Sequence, residues 1–227
     1  MASSSSRSGS WCPMEEILLP LFPLELVLLP EEPLPLHIFE DRYREMIGEC
    51  LKAKTSGFGR QDFGVVLAKG EEISNVGCTA QIVSLTRKYD DGRMDILAVG
   101  RRRFEILLTN EEKSYLRASV EFFDDEGSDT PAETEAEDAI QVFQEVTRRL
   151  HQASDMPVHL PQPYRYLSFR LAASLPLGLE FKQRLLSLRN EPERLQQVVH
   201  SMRQLIHQID TVQEARKKAG GNGNLQH

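Results

Sequence analysis

Residues 76–99 read VGCTAQIVSLTRKYDDGRMDILAV, and the group Asp90-Asp91-Gly92 near their centre decides how the chain is read. Before it, Val76 to Leu85 alternates imperfectly through Cys78, Ala80, Ile82 and Leu85, with the β-branched content of a strand. After it, Met94 to Val99 is a second extended run. An Asp-Gly pair between two such runs predicts a tight hairpin, because glycine accepts the positive φ that the turn needs. An antiparallel pair is therefore expected at the heart of a β lobe.

Working outward, Phe63 to Ala68 is a continuous apolar run and reads as another strand. Gly100 is expected to break the hairpin's second strand. Extended character then resumes from Phe104 to Leu108, and Tyr115 to Phe123 alternates through Leu116, Ala118, Val120 and Phe122. Near the start, Ile17 to Leu19 and Leu26 to Leu29 are short apolar runs punctuated by prolines, which suits edge or terminal strands. Between these groups, Tyr43, Met46, Ile47, Cys50 and Leu51 fall on one face of a helix over Glu40 to Leu51, with Glu40 and Asp41 in its first turn. About six strands with one early helix result.

The composition shifts at Asp124 to Glu137, which is acidic and contains Gly127, Ser128 and Pro131, as a solvated linker would. Beyond it the period is helical. Ile140, Val142, Phe143, Val146 and Leu150 mark one helix, Tyr164 to Leu175 another and Glu180 to Leu188 a shorter one, with Pro192 at the start of the last. In that last helix Leu195, Val198, Val199, Met202, Leu205, Ile206, Ile209 and Val212 form a nearly continuous stripe, read as bundle core ahead of a coiled-coil partner surface. The expected organisation is a disordered leader over 1–14, a β lobe over 15–124, an acidic linker over 125–134, a helical bundle over 135–214 and a disordered tail over 215–227.

A net charge of −7 opposes the large basic footprint that drives nucleic-acid binding. Cys12, Cys50 and Cys78 are odd in number and widely spaced, which disfavours a disulfide framework or a zinc site. The longest apolar stretch, Ile17 to Leu29, is broken by Pro20, Pro23 and Glu25 and is too short to span a bilayer. The serine-rich start lacks an apolar signal region, so a cytoplasmic setting is expected ahead of an organelle. There is no Gly-Lys pair and hence no phosphate loop, and the six histidines form neither an H-E-x-x-H nor a Cys/His cluster. The carboxylates at Asp90-Asp91 and Asp124-Asp125 fall in turn or linker positions, where aspartate serves local backbone bonding. No catalytic residue, metal or cofactor is expected.

The segment Leu19-Pro20-Leu21-Phe22-Pro23-Leu24, then Leu28-Leu29-Pro30 and Leu34-Pro35-Leu36-His37-Ile38-Phe39-Glu40 with Arg42-Tyr43, closely resembles the opening of the amino-terminal domains of Lon proteases. The likeness continues through Phe63 to Leu67, Val76 to Ala80, Asp91-Gly92-Arg93, Gly100-Arg101 and Arg103-Phe104. It resumes at Leu171 to Leu177 and reaches about Ile209. It implies an α+β fold, with a PUA-like β-barrel lobe followed by a helical bundle. The resemblance is to stand-alone bacterial members without the ATPase and protease. It therefore implies a non-catalytic module that binds proteins or unfolded polypeptide segments, with an adaptor role in protein quality control.

Candidate polypeptide contacts are Phe22, Leu34, His37 and Phe39, on or beside the proline-interrupted strands; packed core, and for His37 a structural hydrogen bond, is the favoured rival reading. PUA-like folds include RNA binders, so Arg101 and Arg103, with Arg87 and Lys88 nearby, form the alternative site. Strand alternation would turn Arg102 away from them, which favours a solvated corner.

Overall fold

The computed structural model describes residues 18–57, 59–151 and 162–221. The expected leader over 1–14 lies outside the described residues. In chain order the elements are β1 (Leu19–Leu24), β2 (Pro33–Ile38), α1 (Asp41–Ser56), β3 (Asp62–Lys69), β4 (Glu72–Lys88), β5 (Met94–Asn110) and β6 (Arg117–Phe123). Helices α2 (Glu133–His151), α3 (Leu167–Ala173), α4 (Leu179–Ser187) and α5 (Glu191–Gly221) follow. The fold is α+β, as the sequence reading expects.

The Asp-Gly hairpin joins β4 to β5. Gly92 takes φ +87°, and its N–H donates to the Tyr89 carbonyl at 3.0 Å while Tyr89 N–H donates to Arg93 at 2.9 Å. The strands are ordered β2-β5-β4-β3-β1-β6, and β6 also pairs with β5, so five strands close on one another and β2 flanks the first half of β5. Only β1 and β3 run parallel among these pairs.

The closed strands have two apolar faces. One buries Leu19, Leu21, Val66, Phe104 and Ala118 together. Phe104 fills the space left by two glycines: a Cβ at Gly64 or Gly77 would come within 2.6 or 2.5 Å of its ring. The other face carries Phe22, Phe63, Val65, Ala80, Ile82 and Ile96 against Met46 and Ile47 of α1, in a cluster that runs on into Phe169, Leu186 and Val198 of the helices. Each of the larger side chains contributes about 1.5–3 kcal/mol by leaving water.

Several expectations need correcting. The early strands are Leu19–Leu24 and Pro33–Ile38, whereas Leu26 to Leu29 is no strand, with Val27, Leu28 and Leu29 buried and Leu26 half-buried. The prolines mislead here because β2 is an edge. Gly100 N–H donates to the Glu32 carbonyl, so residues 32, 34, 36 and 38 aim their backbone groups at β5 while Pro33 and Pro35 face the free side, where no donor is required. Nor does Gly100 break β5, which is continuous from Met94 to Asn110. Its missing side chain admits another backbone: a Cβ there would lie 2.1 Å from the Leu29 carbonyl oxygen. The expected helix over Tyr164 to Leu175 is confined to Leu167–Ala173. Helix α5 runs to Gly221, so residues 215–221 of the expected tail are helical, and 222–227 lie outside the described residues.

Along α5 the stripe divides. Leu195, Val198, Val199 and Met202 are buried, Leu205 and Ile206 are half-buried against the same cluster, and Val212 is exposed. The core reading thus holds for its first half. Arg203 pairs with Asp138 at 2.9 Å and Arg149 with Asp210 at 2.8 Å, which sets α2 and α5 side by side in the same direction.

Candidate functional site

Two places gather charge and aromatic rings. The first is where the helices meet the β lobe. Arg103 of β5 is 3% exposed and donates to Asp125 at 2.6 Å and to the carbonyls of Leu186 and Leu188. Arg194 of α5 is fully buried, 4.0 Å over the Phe169 ring, and binds both oxygens of Asp125 as well as Glu191. Glu191 in turn accepts from the Ser168 backbone and hydroxyl at 2.8 and 2.6 Å. Two cations thus face two carboxylates with nearly every donor used.

Burial alone would raise the Asp125 carboxyl, but Arg194 and Arg103 together hold it below its ordinary value. At Glu191 burial wins over Arg194 and Ser168 and lifts it. Asp125 therefore departs from the solvated linker expected around it: its side chain is 1% exposed and ties the segment to both lobes.

The second place is open to solvent on the β2-β5-β4 side. His37 and Asp95 are directly opposite across a non-hydrogen-bonded pair, where side chains approach most closely, and His37 Nδ1 lies 2.5 Å from the Asp95 carboxylate. Tyr89 donates to the other Asp95 oxygen at 2.9 Å and meets the His37 ring edge-on. His37 and Tyr89 together hold the Asp95 carboxyl below its ordinary value. Phe39 stacks on His37 at 6.0 Å and is 61% exposed. The Arg87 guanidinium covers Tyr89 at 4.5 Å. Val83 and Leu85 of β4 are exposed, and Pro35 stands opposite Leu97 in the next row of the sheet. The result is an apolar and aromatic surface with cations beside it, which is suited to holding side chains by contact. The thiols of Cys50 and Cys78 are buried elsewhere and pushed up to about 12, so neither is a ready nucleophile.

The model of the substrate-binding domain of the ATP-dependent protease La (Lon) matches residues 18–204. The chain belongs to the Lon substrate-binding domain family. Among solved structures it is similar to a Lon N-terminal domain protein from Xanthomonas campestris, with a TM-score of 0.61 and 24% identity over 81% of this chain and 97% of that one. It is also similar to the N-terminal domain of a Mycobacterium avium complex Lon protease, with a TM-score of 0.61 and 16% identity over 82% of this chain and 97% of that one. At such identities these two likenesses speak to the fold.

In this Lon-family chain the four candidate contacts fall into two pairs. Phe22 is core, its ring 4.0 Å from Tyr43 and 6.0 Å from Phe63, and Leu34 is also buried; neither reaches a partner. His37 and Phe39 stand together on the surface. Arg101 and Arg103 are not brought together either. Arg101 is exposed and donates to Gln81 at 2.9 Å, whereas Arg103 is enclosed with Asp125 and is inaccessible to RNA. Sequence reasoning missed Tyr89, Val83 and Leu85. Strict alternation from Cys78, Ala80 and Ile82 sends Val83 and Leu85 to the outer face, where both are exposed, whereas the sequence reading groups Leu85 with the inward residues.

Proposed function

We propose that this chain is a non-catalytic substrate-recognition module that holds apolar segments of non-native polypeptides and serves as an adaptor in protein quality control. The observation that carries the reading is the exposed Phe39, stacked on His37 with Tyr89 edge-on, while Val83 and Leu85 are exposed two strands away on β4. A folded domain gains nothing in stability by exposing a phenylalanine so fully, whereas a binder gains contact area from it. Membership of the Lon substrate-binding family supports the same reading. The edge of β2 is a poor strand-pairing template, since Pro33 and Pro35 occupy its outward positions, so contact through side chains is the favoured mode.

The test is binding of permanently unfolded, reduced and carboxymethylated α-lactalbumin to the purified chain, followed by anisotropy. Substituting Phe39→Ser and Leu85→Ser together should weaken binding about tenfold, the loss expected for about two apolar contacts. Undiminished binding by that variant would remove Phe39 from the site.

A further inference from the structure

We infer that the β lobe carries a second docking site, at the end of β5, for an extended polypeptide segment in which apolar residues alternate with lysine or arginine. Leu107 and Leu108 are 62% and 71% exposed, the two most exposed large hydrophobic residues among those described. They stand adjacent on one strand. Ile106 packs inward against the Phe104 core, so alternation sends Leu107 outward, and a register shift between Ile106 and Leu108 brings the second leucine out beside it.

Backbone here is also unpaired. The β4–β5 ladder stops at Val76 and Glu105, although β4 begins at Glu72 and β5 continues to Asn110. Past that point β5 pairs only with β6, and β4 only with β3. Had the register continued, Ser74 would have stood opposite Leu107 and Glu72 opposite Thr109. Instead two strand edges part, and among the described residues no third strand lies between them; α4 flanks the point of parting, where Gln183 donates to the Val76 carbonyl at 2.9 Å and Arg189 pairs with Glu105. Neither edge contains a proline, unlike the edge of β2.

Charge chooses the occupant. Glu72 sits at one of these edges, Glu71 in the turn before it, Glu111 just past Asn110, and Glu121 opposite Glu105 on β6; all four are exposed and have no ion-pair partner among the described residues. The nearby cations are already engaged: Arg189 with Glu105, Arg117 with Glu112 and Lys69 with Glu180. Two leucines therefore lie within a ring of free carboxylates, complementary to a strand that is apolar on one face and cationic beside it. The site is separate from the Phe39 surface, where the Asp95 carboxylate and the Arg87 guanidinium both stand beside the rings.

The probe is a fluorescein-labelled peptide alternating valine with lysine, and its control alternates valine with glutamate. Anisotropy of each is followed while the full chain is titrated in. The lysine peptide should bind, more weakly as salt rises, and the glutamate peptide should bind about tenfold less tightly or worse. Leu107→Ser with Leu108→Ser should lose about tenfold, and Glu72→Lys with Glu121→Lys should reverse the order of the two peptides. Phe39→Ser should leave the lysine peptide unaffected, which separates this result from the fate of the first site. Equal binding of the two peptides, undiminished binding by the serine variant, or no binding of the lysine peptide overturns the inference. So does sedimentation showing a dimer that the serine variant dissolves, because the occupant would then be a second copy. If the serine variant melts at a lower temperature, the lysine variant decides.

Discussion

At Arg194 a guanidinium lies 4.0 Å over Phe169, gripped by Asp125 and Glu191 and shut off from water; at Arg87 another lies 4.5 Å over Tyr89, with Asp95 nearby and solvent all around. The ingredients are alike and the outcomes differ. In the enclosed cluster nearly every donor has a fixed acceptor and the groups fasten helices to strands. In the open one the Phe39 ring is 61% exposed and stays within reach of solvent. Charged residues alone do not mark a functional place; what separates the two is whether an apolar partner from outside could reach the rings.

The sharpest way to break this contrast is Arg194→Ala. It strands Asp125 and Glu191 without their main counter-charge and should cost about 4 kcal/mol, read from urea unfolding. A loss below about 1 kcal/mol would mean that the cluster behaves like a surface pair. Next is Phe22→Ala, which empties a core site and should cost about 3 kcal/mol. Its counterpart, Phe39→Ala, should change stability by no more than about 0.5 kcal/mol while weakening unfolded-client binding, measured side by side on one preparation.

Acid provides a subtler comparison. Asp125 is held below its ordinary value, so its stabilising contribution is complete above the unfolded carboxylate value of about 4 and disappears as pH falls through the lowered folded value. Melting temperatures taken from pH 7 downward should therefore drop more steeply below about pH 4 for the wild type than for Asp125→Asn, which starts lower. Parallel curves would show that Asp125 is not the group responsible. Arg87→Ala is the smallest effect, within about 0.5 kcal/mol, since its cation–π contact is exposed.

Much of the fold could be read directly. The helix expected over Glu40 to Leu51 is α1, extended to Ser56, and Asp90-Asp91-Gly92 is the hairpin turn, because both signals are local. Pro33 to Ile38 escaped because proline reads as punctuation until one knows that the strand has an unpaired side. The Arg103, Asp125 and Arg194 cluster escaped because its members lie 22 and 69 residues apart and no period links them. At the candidate site, Phe39 and His37 were legible from the proline-rich opening, but Phe22 carries the same chemistry in the same stretch and points inward. Only the pairing of β1 with β3 distinguishes them, since it commits Phe22 to the row of Val65 beneath α1.

A protein that handles misfolded chains runs the risk of being templated by them, since an exposed strand edge can seed cross-β stacking with whatever it holds. With Pro33 and Pro35 on the outward positions of β2, the strand beside the Phe39 surface lacks two of the amide donors that such stacking requires, so on the proposed function a held segment would find no continuous edge on which to grow into a fibre.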